Sequence, residues 1–299
     1  MDEQLIALYH RHVATAFDRN LRLAEFVAQK VGKVKAKYEV ATAALAFGPA
    51  LKFEAPLLGS HAHSNNSWLW AWANRNLKLT ITNRALGDLV RVTAHRLGLP
   101  MLAHSGFSLE PLLGPELTPH AAEVLGVILS RELDFDAHHI APEEGHDSAI
   151  LVRDDRLKFP ERYPLHRVQT VFPKVVAALP VFDHRAALAD YARDYGLTAT
   201  VMQGVLTITD GKGTLTATFD DHDRLTKLEG TGVSAPPAKK AAKPAKAIAK
   251  KPAKTPAKSA KKPAAKPKTV AKKPTVKKVA AKKPAPKPKV APKKPAKKR

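Results

Sequence analysis

The chain has 299 residues, no cysteine and a formal net charge of +23, and all the excess positive charge lies in residues 235–299. That segment holds 24 lysines, one arginine and no acidic residue, whereas residues 1–234 hold 25 basic and 27 acidic residues, a net of −2. The lack of cysteine excludes disulfide frameworks, thiolate metal sites and cysteine nucleophiles. Because we find neither a secretory leader nor an apolar run of the ~20 residues that a membrane helix needs, we expect a cytoplasmic protein without membrane insertion.

The first half of the chain predicts helices with short strands between them. Apolar residues at spacings of three and four predict three helices, over residues 3–31, 82–98 and 119–133. Gly32 and Gly98 mark the ends of the first two, and Thr118 is the expected N-cap of the third. Strands are predicted over residues 38–47 and 51–58, on either side of a Gly-Pro turn.

A tryptophan-rich run follows the second of these strands, and it reads Trp68-Leu69-Trp70-Ala71-Trp72-Ala73-Asn74. Residues two apart in a strand point to the same side, so the three indoles are predicted to form one aromatic face. The leucine and alanines make the other side apolar too, which favours a central, covered strand in which each indole N–H has a hydrogen-bond partner. The alternative is a stacking platform for bases or sugars, with a candidate ligand face of Trp68, Trp70, Trp72 and Asn74.

The second half predicts a polar loop, two helices and a series of strands. The loop covers residues 134–147 and is rich in His, Asp and Glu. Helices are predicted over residues 165–178 and 183–195, and strands over residues 148–153, 197–202, 204–209 and 214–219. Asp183 is the expected cap of the second helix and Gly196 its end, and Asp210-Gly211-Lys212-Gly213 predicts a hairpin turn.

These elements predict an α+β fold for residues 1–234, a mostly antiparallel sheet with packed helices, with a soft boundary near residues 155–164. All three Trp, all five Tyr, all ten Phe and all 13 His lie in this region, which is therefore the part able to bury a core.

Residues 235–299 are predicted to be a disordered polycationic tail. Thirteen of the 24 prolines lie here, and each removes a backbone donor and blocks a continuous helix. The tail lacks the aromatic residues that a core needs, and its like charges repel one another. The unit Lys-Lys-Pro recurs every ten or eleven residues. We predict that its lysines contact DNA phosphates, and they are Lys250, Lys251, Lys261, Lys262, Lys272, Lys273, Lys282, Lys283, Lys293 and Lys294.

Two resemblances bear on these parts. In its lysine, alanine and proline composition, the tail resembles the C-terminal tails of linker histones and of bacterial histone-like proteins, which implies binding to polyanions. The body resembles a family of uncharacterised bacterial proteins that is classed as a domain of unknown function. The residues that carry this second resemblance are Gly59-Ser60, the run from Ser67 to Asn74, and a helix bearing Ala94 and Gly98. That family implies no activity to carry over.

Histidines and carboxylates are the first candidates for metal chemistry. His61 and His63 would share one face of a strand, and further polar groups crowd the predicted loop. The loop groups are Asp136, His138, His139, Glu143, Glu144, His146 and Asp147. Zinc or iron uses such ligands, but the sequence has no His-Glu-x-x-His motif and no cysteine ligand. A solvated loop explains the cluster, so we predict no metal and no cofactor.

Other catalytic signals are weak. There is no Gly-x-Ser-x-Gly elbow, and the hairpin interpretation accounts for Gly211-Lys212-Gly213, which only hints at a phosphate loop. Asp220, Asp221 and Asp223 are predicted to lie in an exposed turn, with a divalent-ion site as the alternative.

The sequence therefore predicts a globular domain of unknown activity with a histone-like tail that binds DNA without sequence preference and places the protein on the nucleoid. No recognisable catalytic motif supports an enzyme. Two alternatives stay open: an enzyme whose site lies in residues 1–234 and whose tail localises it, and a protein-binding module that uses the acidic, aromatic body.

Overall fold

The computed structural model describes residues 1–157 and 164–232. The predicted tail disorder and the DNA-contacting lysines of residues 235–299 lie outside the described residues. The α-helices are α1 (Glu3–Val31), α2 (Ile81–Arg96), α3 (Glu110–Leu117), α4 (Ala121–Glu132), α5 (Leu165–Ala178) and α6 (His184–Asp194). The strands of the first half are β1 (Ala36–Glu39), β2 (Ala44–Phe47), β3 (Leu51–Glu54), β4 (Leu57–Ala62), β5 (Ser67–Trp70) and β6 (Gly106–Ser108). Those of the second half are β7 (Ala137–Glu143), β8 (His146–Val152), β9 (Thr198–Met202), β10 (Val205–Thr209), β11 (Thr214–Phe219) and β12 (Leu225–Thr231).

The predicted α+β class is confirmed, because the strands form three antiparallel sheets with packed helices. A three-stranded sheet has the order β1-β2-β3, a five-stranded sheet the order β6-β5-β4-β8-β7, and a four-stranded sheet the order β12-β11-β10-β9. Helix α4 packs on β4, β7 and β8, and α1 packs on α4, α5 and α6. No helix of residues 1–157 and 164–232 is long and apolar enough to span a bilayer.

Helix α1 has the predicted bounds, and local signals explain both ends. Asp2 is the N-cap, and its carboxylate accepts a hydrogen bond from the Leu5 backbone N–H at 3.0 Å. Gly32 ends the helix with φ +76°, a left-handed conformation that favours glycine. The buried apolar residues of the helix include Leu5, Tyr9, Val13, Leu23 and Val27.

Two predicted strands are each divided in the structure. Residues 38–47 break at a short 3₁₀ helix, Val40–Thr42, after which Ala43 has φ +48° and β2 folds back along β1. The second predicted strand, residues 51–58, divides between β3 and β4 at Pro56, which has no N–H to donate to a ladder. The alanine-rich residues of the first strand gave no local sign of its bend, whereas Pro56 is a local signal for the division of the second.

The predicted loop over residues 134–147 is wrong, because most of it forms the hairpin of β7 and β8. The two strands pair from Ala137↔Val152 to Glu143↔His146, and Gly145 in the turn has φ +80°. Its polar side chains suggested solvent exposure, yet His138 is buried because Asn20 of α1 accepts from its backbone N–H and the Glu123 carboxylate of α4 accepts from its ring.

Capping predictions for the later helices had mixed outcomes. Asp183 caps α6 by accepting from the Ala186 N–H at 2.8 Å, as predicted. Thr118 does not cap α4: its buried hydroxyl donates back to the Gly114 carbonyl, and a 3₁₀ turn leads into the helix instead. The predicted hairpin at residues 210–213 is present, but the sequence analysis predicted no element for residues 225–231, which form β12, the fourth strand of its sheet.

Two apolar clusters form the core on opposite faces of the five-stranded sheet. The main cluster contains Trp68 and Trp70 and extends without a break to Leu206 and Leu215 in the last sheet. The smaller cluster contains Phe53 and Ile150. The main cluster therefore includes residues from both sides of the predicted boundary near residues 155–164, which stays a prediction.

Candidate ligand groove and histidine–carboxylate cluster

Trp68 and Trp70 are core residues. Their side chains are 1% and 0% exposed, and their rings meet edge to face with centroids 5.3 Å apart. Gly59 on the neighbouring strand makes room for them, because a Cβ there would lie 2.6 Å from the Trp68 ring. These two members of the predicted ligand face are therefore inaccessible to a ligand and serve packing.

The prediction of one covered face of three indoles is wrong in two respects. Trp72 lies in a 3₁₀ helix, Ala71–Ala73, and so does not belong to strand β5, although it packs, half-buried, against the same apolar cluster as Trp68 and Trp70. Leu69, on the other side of β5, is 38% exposed, so the strand is covered on one side only. Moreover, none of the three indole nitrogens makes a hydrogen bond within the described ranges.

Trp72 is half-buried at the wall of an open groove of about 570 Å³. Gly87 of α2 lies against its ring, where an added Cβ would approach within 2.7 Å. The Arg91 guanidinium lies over the ring at 4.0 Å from its centroid and also pairs with Asp88 at 2.7 Å. The indole thus packs against α2, which contributes both Gly87 and Arg91.

Asn74 lines the same groove, together with a set of cations that the sequence analysis did not single out. The Asn74 side chain accepts from the Asn76 N–H at 3.0 Å and so shapes the following turn. The lining cations are Arg75, Lys78, Arg84 and Arg91. Within residues 1–157 and 164–232, Arg75, Lys78 and Arg84 make no ion pair, and Asp88 is the one acidic residue that lines the groove. The groove is a local positive surface on a body of net −2.

A second polar cluster lies on the five-stranded sheet. Strand register places His61 of β4 directly opposite Asp147 of β8, and His63 follows two residues later. His63 Nε2 lies 2.9 Å from Asp147 Oδ2, and the rings of His61 and His63 have centroids 5.2 Å apart. One ligand atom of each of these three residues lies within 4.8 Å of the others. We call them the His61–His63–Asp147 cluster.

His61 is the buried member of this cluster, with 2% exposure. Burial lowers the pKa of its imidazole, and the nearby Asn66 side chain opposes that shift. Asn66 does not reach hydrogen-bond geometry, however, because neither ring nitrogen of His61 has a partner among the residues that the structure describes. The imidazole is therefore predominantly neutral at pH 7, with a lone pair available.

The other predicted metal candidates do not converge on this cluster. His138 Nε2 bonds to Glu123 Oε1 at 2.9 Å beneath α4, and Asp136 Oδ2 accepts from the Asp154 N–H at 2.8 Å. The His139 ring packs edge to face on Phe47. At the hairpin end His146 pairs with Glu143 at 3.4 Å, and Glu144 lies in the turn.

The aspartates after β11 shape a turn, as their structural interpretation predicted. Asp220 Oδ1 accepts from the backbone N–H groups of His222 and Arg224, both at 2.9 Å. Asp223 pairs with Arg185 of α6 at 2.8 Å. Both carboxylates are thus engaged within the protein, and Asp221 belongs to no ligand cluster among the described residues.

Comparison with known proteins gives one match. Neither a curated protein nor a solved structure matches the chain significantly. The matching family model is described as a family of unknown function, DUF6882, and it aligns with residues 6–155 of the 299. The matched segment runs from α1 to the end of β8 and includes the Trp run, the basic groove and the His61–His63–Asp147 cluster. Because this match covers half of the chain, the protein belongs to the DUF6882 family.

Proposed function

We propose that this protein binds DNA without sequence preference through residues 235–299 and thereby holds its DUF6882 body on the nucleoid. The observation that carries the proposal is the concentration of 25 positive charges, with no acidic residue, in that segment. Each lysine that neutralises a phosphate releases a condensed counterion, which is a favourable entropic contribution to binding. Phosphate contacts carry no base information, so affinity is nearly uniform across sequences.

The composition of the segment favours nucleic acid over other anionic partners. It contains no aromatic or large apolar cluster to anchor in a bilayer, which disfavours a membrane surface. It also lacks interleaved aromatic residues and Arg-Gly repeats, which disfavours specific recognition of single-stranded RNA. Because proline disfavours a continuous helix, we expect the lysines to contact the phosphate backbone without inserting a base-reading element into a groove.

The basic groove adds a second, smaller contact to this proposal. Arg75, Lys78 and Arg84 are exposed and have no ion pair in the described part of the chain, so they are free to meet phosphates. Trp72 packs against Gly87 and the Arg91 guanidinium lies over its ring, so base stacking on this indole contributes little to binding. With at most a few phosphate contacts, the groove contributes less than the tail.

The test compares the full chain with a chain that ends at Ser234, on several unrelated duplexes at one salt concentration. We expect the full chain to bind all the duplexes with similar affinity and the shortened chain to bind each at least about a hundredfold more weakly. Equal binding by the two chains, or a strong preference of the full chain for one duplex, would contradict the proposal and point to a base-reading surface on the body.

A further inference from the structure

The antiparallel register of β4 and β8 brings together three metal-ligating side chains that are far apart in sequence. His61 and Asp147 are paired residues of this ladder, so their side chains point to the same side of the sheet. His63 lies just beyond the end of β4, where its backbone N–H donates to the Gly145 carbonyl at 3.0 Å. That hydrogen bond holds the second histidine beside the turn that precedes Asp147.

His61 is the buried member of this cluster, and its ring nitrogens make no hydrogen bond to the described residues. His61 is 2% exposed, and both of its ring nitrogens are buried without a hydrogen-bond partner in residues 1–157 and 164–232. A buried polar group without a hydrogen-bond partner destabilises the folded state, because it has lost its hydrogen bonds to water. A cation that accepts the imidazole lone pair would satisfy one of these two nitrogens.

We propose that His61, His63 and Asp147 bind a divalent transition-metal ion. Two imidazoles and one carboxylate are a ligand set used by zinc and non-haem iron(II) centres. The separation of 2.9 Å between His63 Nε2 and Asp147 Oδ2 already suits two adjacent ligands of one ion, since ligands about 2.1 Å from a metal lie about 3 Å apart. The metal takes the place of the proton that these two groups share.

Only a small movement of the His63 and Asp147 side chains is needed to bring the three ligand atoms to the spacing of a metal site. The three ligand atoms lie within 4.8 Å of one another, against about 3.3 Å in a tetrahedral zinc site. The His63 and Asp147 side chains are 46% and 23% exposed, so their side-chain torsions are free to bring them toward the fixed His61.

The same exposure gives the proposed site an open side. Three protein ligands with the remaining positions toward solvent are the arrangement of catalytic zinc sites, whereas structural zinc sites have four protein ligands. The proposal departs from the sequence-based expectation of no metal. If the body is an enzyme, this metal site is its candidate active site.

The experiment is a titration of the full chain with Co²⁺, followed by its visible absorption, and with Zn²⁺, followed by calorimetry. We expect one ion per chain, with cobalt bands of a nitrogen- and oxygen-ligated site, and a higher melting temperature with zinc. Loss of even an outer-shell partner lowers metal affinity 10–100-fold, so His63→Ala and Asp147→Asn should lower it at least about tenfold. Both positions are partly exposed, so the fold should tolerate these changes.

The matched control is His146→Ala, which removes a neighbouring histidine that pairs with Glu143 and lies outside the cluster. This variant should retain wild-type affinity and cobalt bands. His61→Ala should abolish binding, and far-ultraviolet circular dichroism establishes that each variant is folded. Wild-type protein that binds no ion more tightly than His63→Ala, or equal losses in His146→Ala and His63→Ala, would overturn the proposal.

Discussion

Arg167 of α5 donates from Nε to Oδ1 of Asp18 on α1 at 2.7 Å, and Asp18 is fully buried. This ion pair joins a residue inside the DUF6882 match to one outside it, since Asp18 lies within residues 6–155 and Arg167 lies after them. Arg167 also donates to Glu25 at 2.8 Å, two helical turns after Asp18 along α1. Burial disfavours the charged guanidinium, but its hydrogen bonds to the two carboxylates outweigh burial and raise the pKa of Arg167. Arg167 thus links α5 to α1, which belongs to the segment matched by the family model.

Arg167→Ala should therefore destabilise the protein strongly. The change leaves the buried Asp18 carboxylate without its cation, and breaking a buried ion pair costs about 3–5 kcal/mol. The matched control is Arg193→Ala, because Arg193 pairs with Asp190 at 2.7 Å on an exposed helix surface. That loss should be below about 1 kcal/mol. Urea unfolding of both variants measures the difference, and equal losses would contradict this role of Arg167.

Removal of the Trp70 side chain should destabilise the protein more than removal of the Trp72 side chain. Trp70→Ala empties a fully buried site beside Trp68 and Phe107, and such changes cost about 3–5 kcal/mol. Trp72→Ala should cost clearly less, because Trp72 is half-buried at the groove. Chemical denaturation of the two variants provides the comparison. A larger loss at Trp72 than at Trp70 would show that the groove wall, not the sheet face, dominates stability.

Gly87 should resist replacement although it lies within a helix. In a helix interior, alanine normally gives a helix that is more stable than glycine does by about 1 kcal/mol. At this position a Cβ would lie 2.7 Å from the Trp72 ring, and overpacking of this kind costs about 1–3 kcal/mol. We expect Gly87→Ala to be neutral to destabilising and to change Trp fluorescence. The adjacent, exposed Asp88→Ala is the control, and a clear stabilisation by Gly87→Ala would contradict the close contact.

Acid should weaken the fold through Glu123. Burial alone would raise the pKa of this carboxyl, but attraction to His138 and their hydrogen bond outweigh burial and hold it below the ordinary 4.5. A carboxyl whose pKa is lower in the folded chain stabilises the fold fully above its unfolded pKa, and this contribution is lost as pH falls through the folded pKa. Stability should thus decrease as pH falls below about 4.5.

Glu123→Gln isolates this contribution, because it removes the charge and keeps the shape. The variant should be less stable than wild type at pH 7 and approach it as the pH falls toward 3, since protonation removes the same charge from wild type. Urea midpoints across this range measure the convergence. A gap that stays constant with pH would mean that Glu123 acts through shape and not through its charge.

Local signals explain which parts of the fold could be predicted from the sequence. Helix α1 with its Asp2 cap and Gly32 end, and α6 with its Asp183 cap, depend on residues a few positions apart. Strand β7 was mistaken for a loop because its polar residues are stabilised by distant partners, such as Asn20, which accepts from the His138 N–H at 2.9 Å. Periodicity cannot reveal such a partner.

The candidate sites depend even more on tertiary contacts. Trp72 and Asn74 were identified from composition, but the cations around them come from the turn after Asn74 and from α2, and only helix packing unites them. His61 and His63 were recognised as a pair, whereas Asp147 was assigned to a separate cluster. Their meeting depends on the pairing of β4 with β8, whose partners are separated by more than 80 residues.

The salt dependence of DNA binding should follow the number of tail lysines. The logarithm of the binding constant for duplex DNA falls with the logarithm of salt concentration by about 0.9 per phosphate neutralised. If about a third of the 25 tail cations engage phosphates, the slope is about −7, and raising salt from 50 to 200 mM costs on the order of 10³–10⁵ in affinity. Replacing the ten lysines of the five Lys-Lys-Pro units by Gln should reduce the slope by roughly two-fifths, in proportion to the charge removed.

Two controls are needed. One distinguishes the effect of tail charge from that of residue order, and the other distinguishes the contribution of the tail from that of the groove. A tail of the same composition in permuted order should retain the wild-type slope, because spacing serves extension and not base readout. The combined change of Arg75, Lys78 and Arg84 to Gln should alter the slope by no more than about 2.7, the limit for three phosphate contacts. A larger effect of these three residues than of the ten lysines would transfer the principal DNA contact from the tail to the groove beside Trp72.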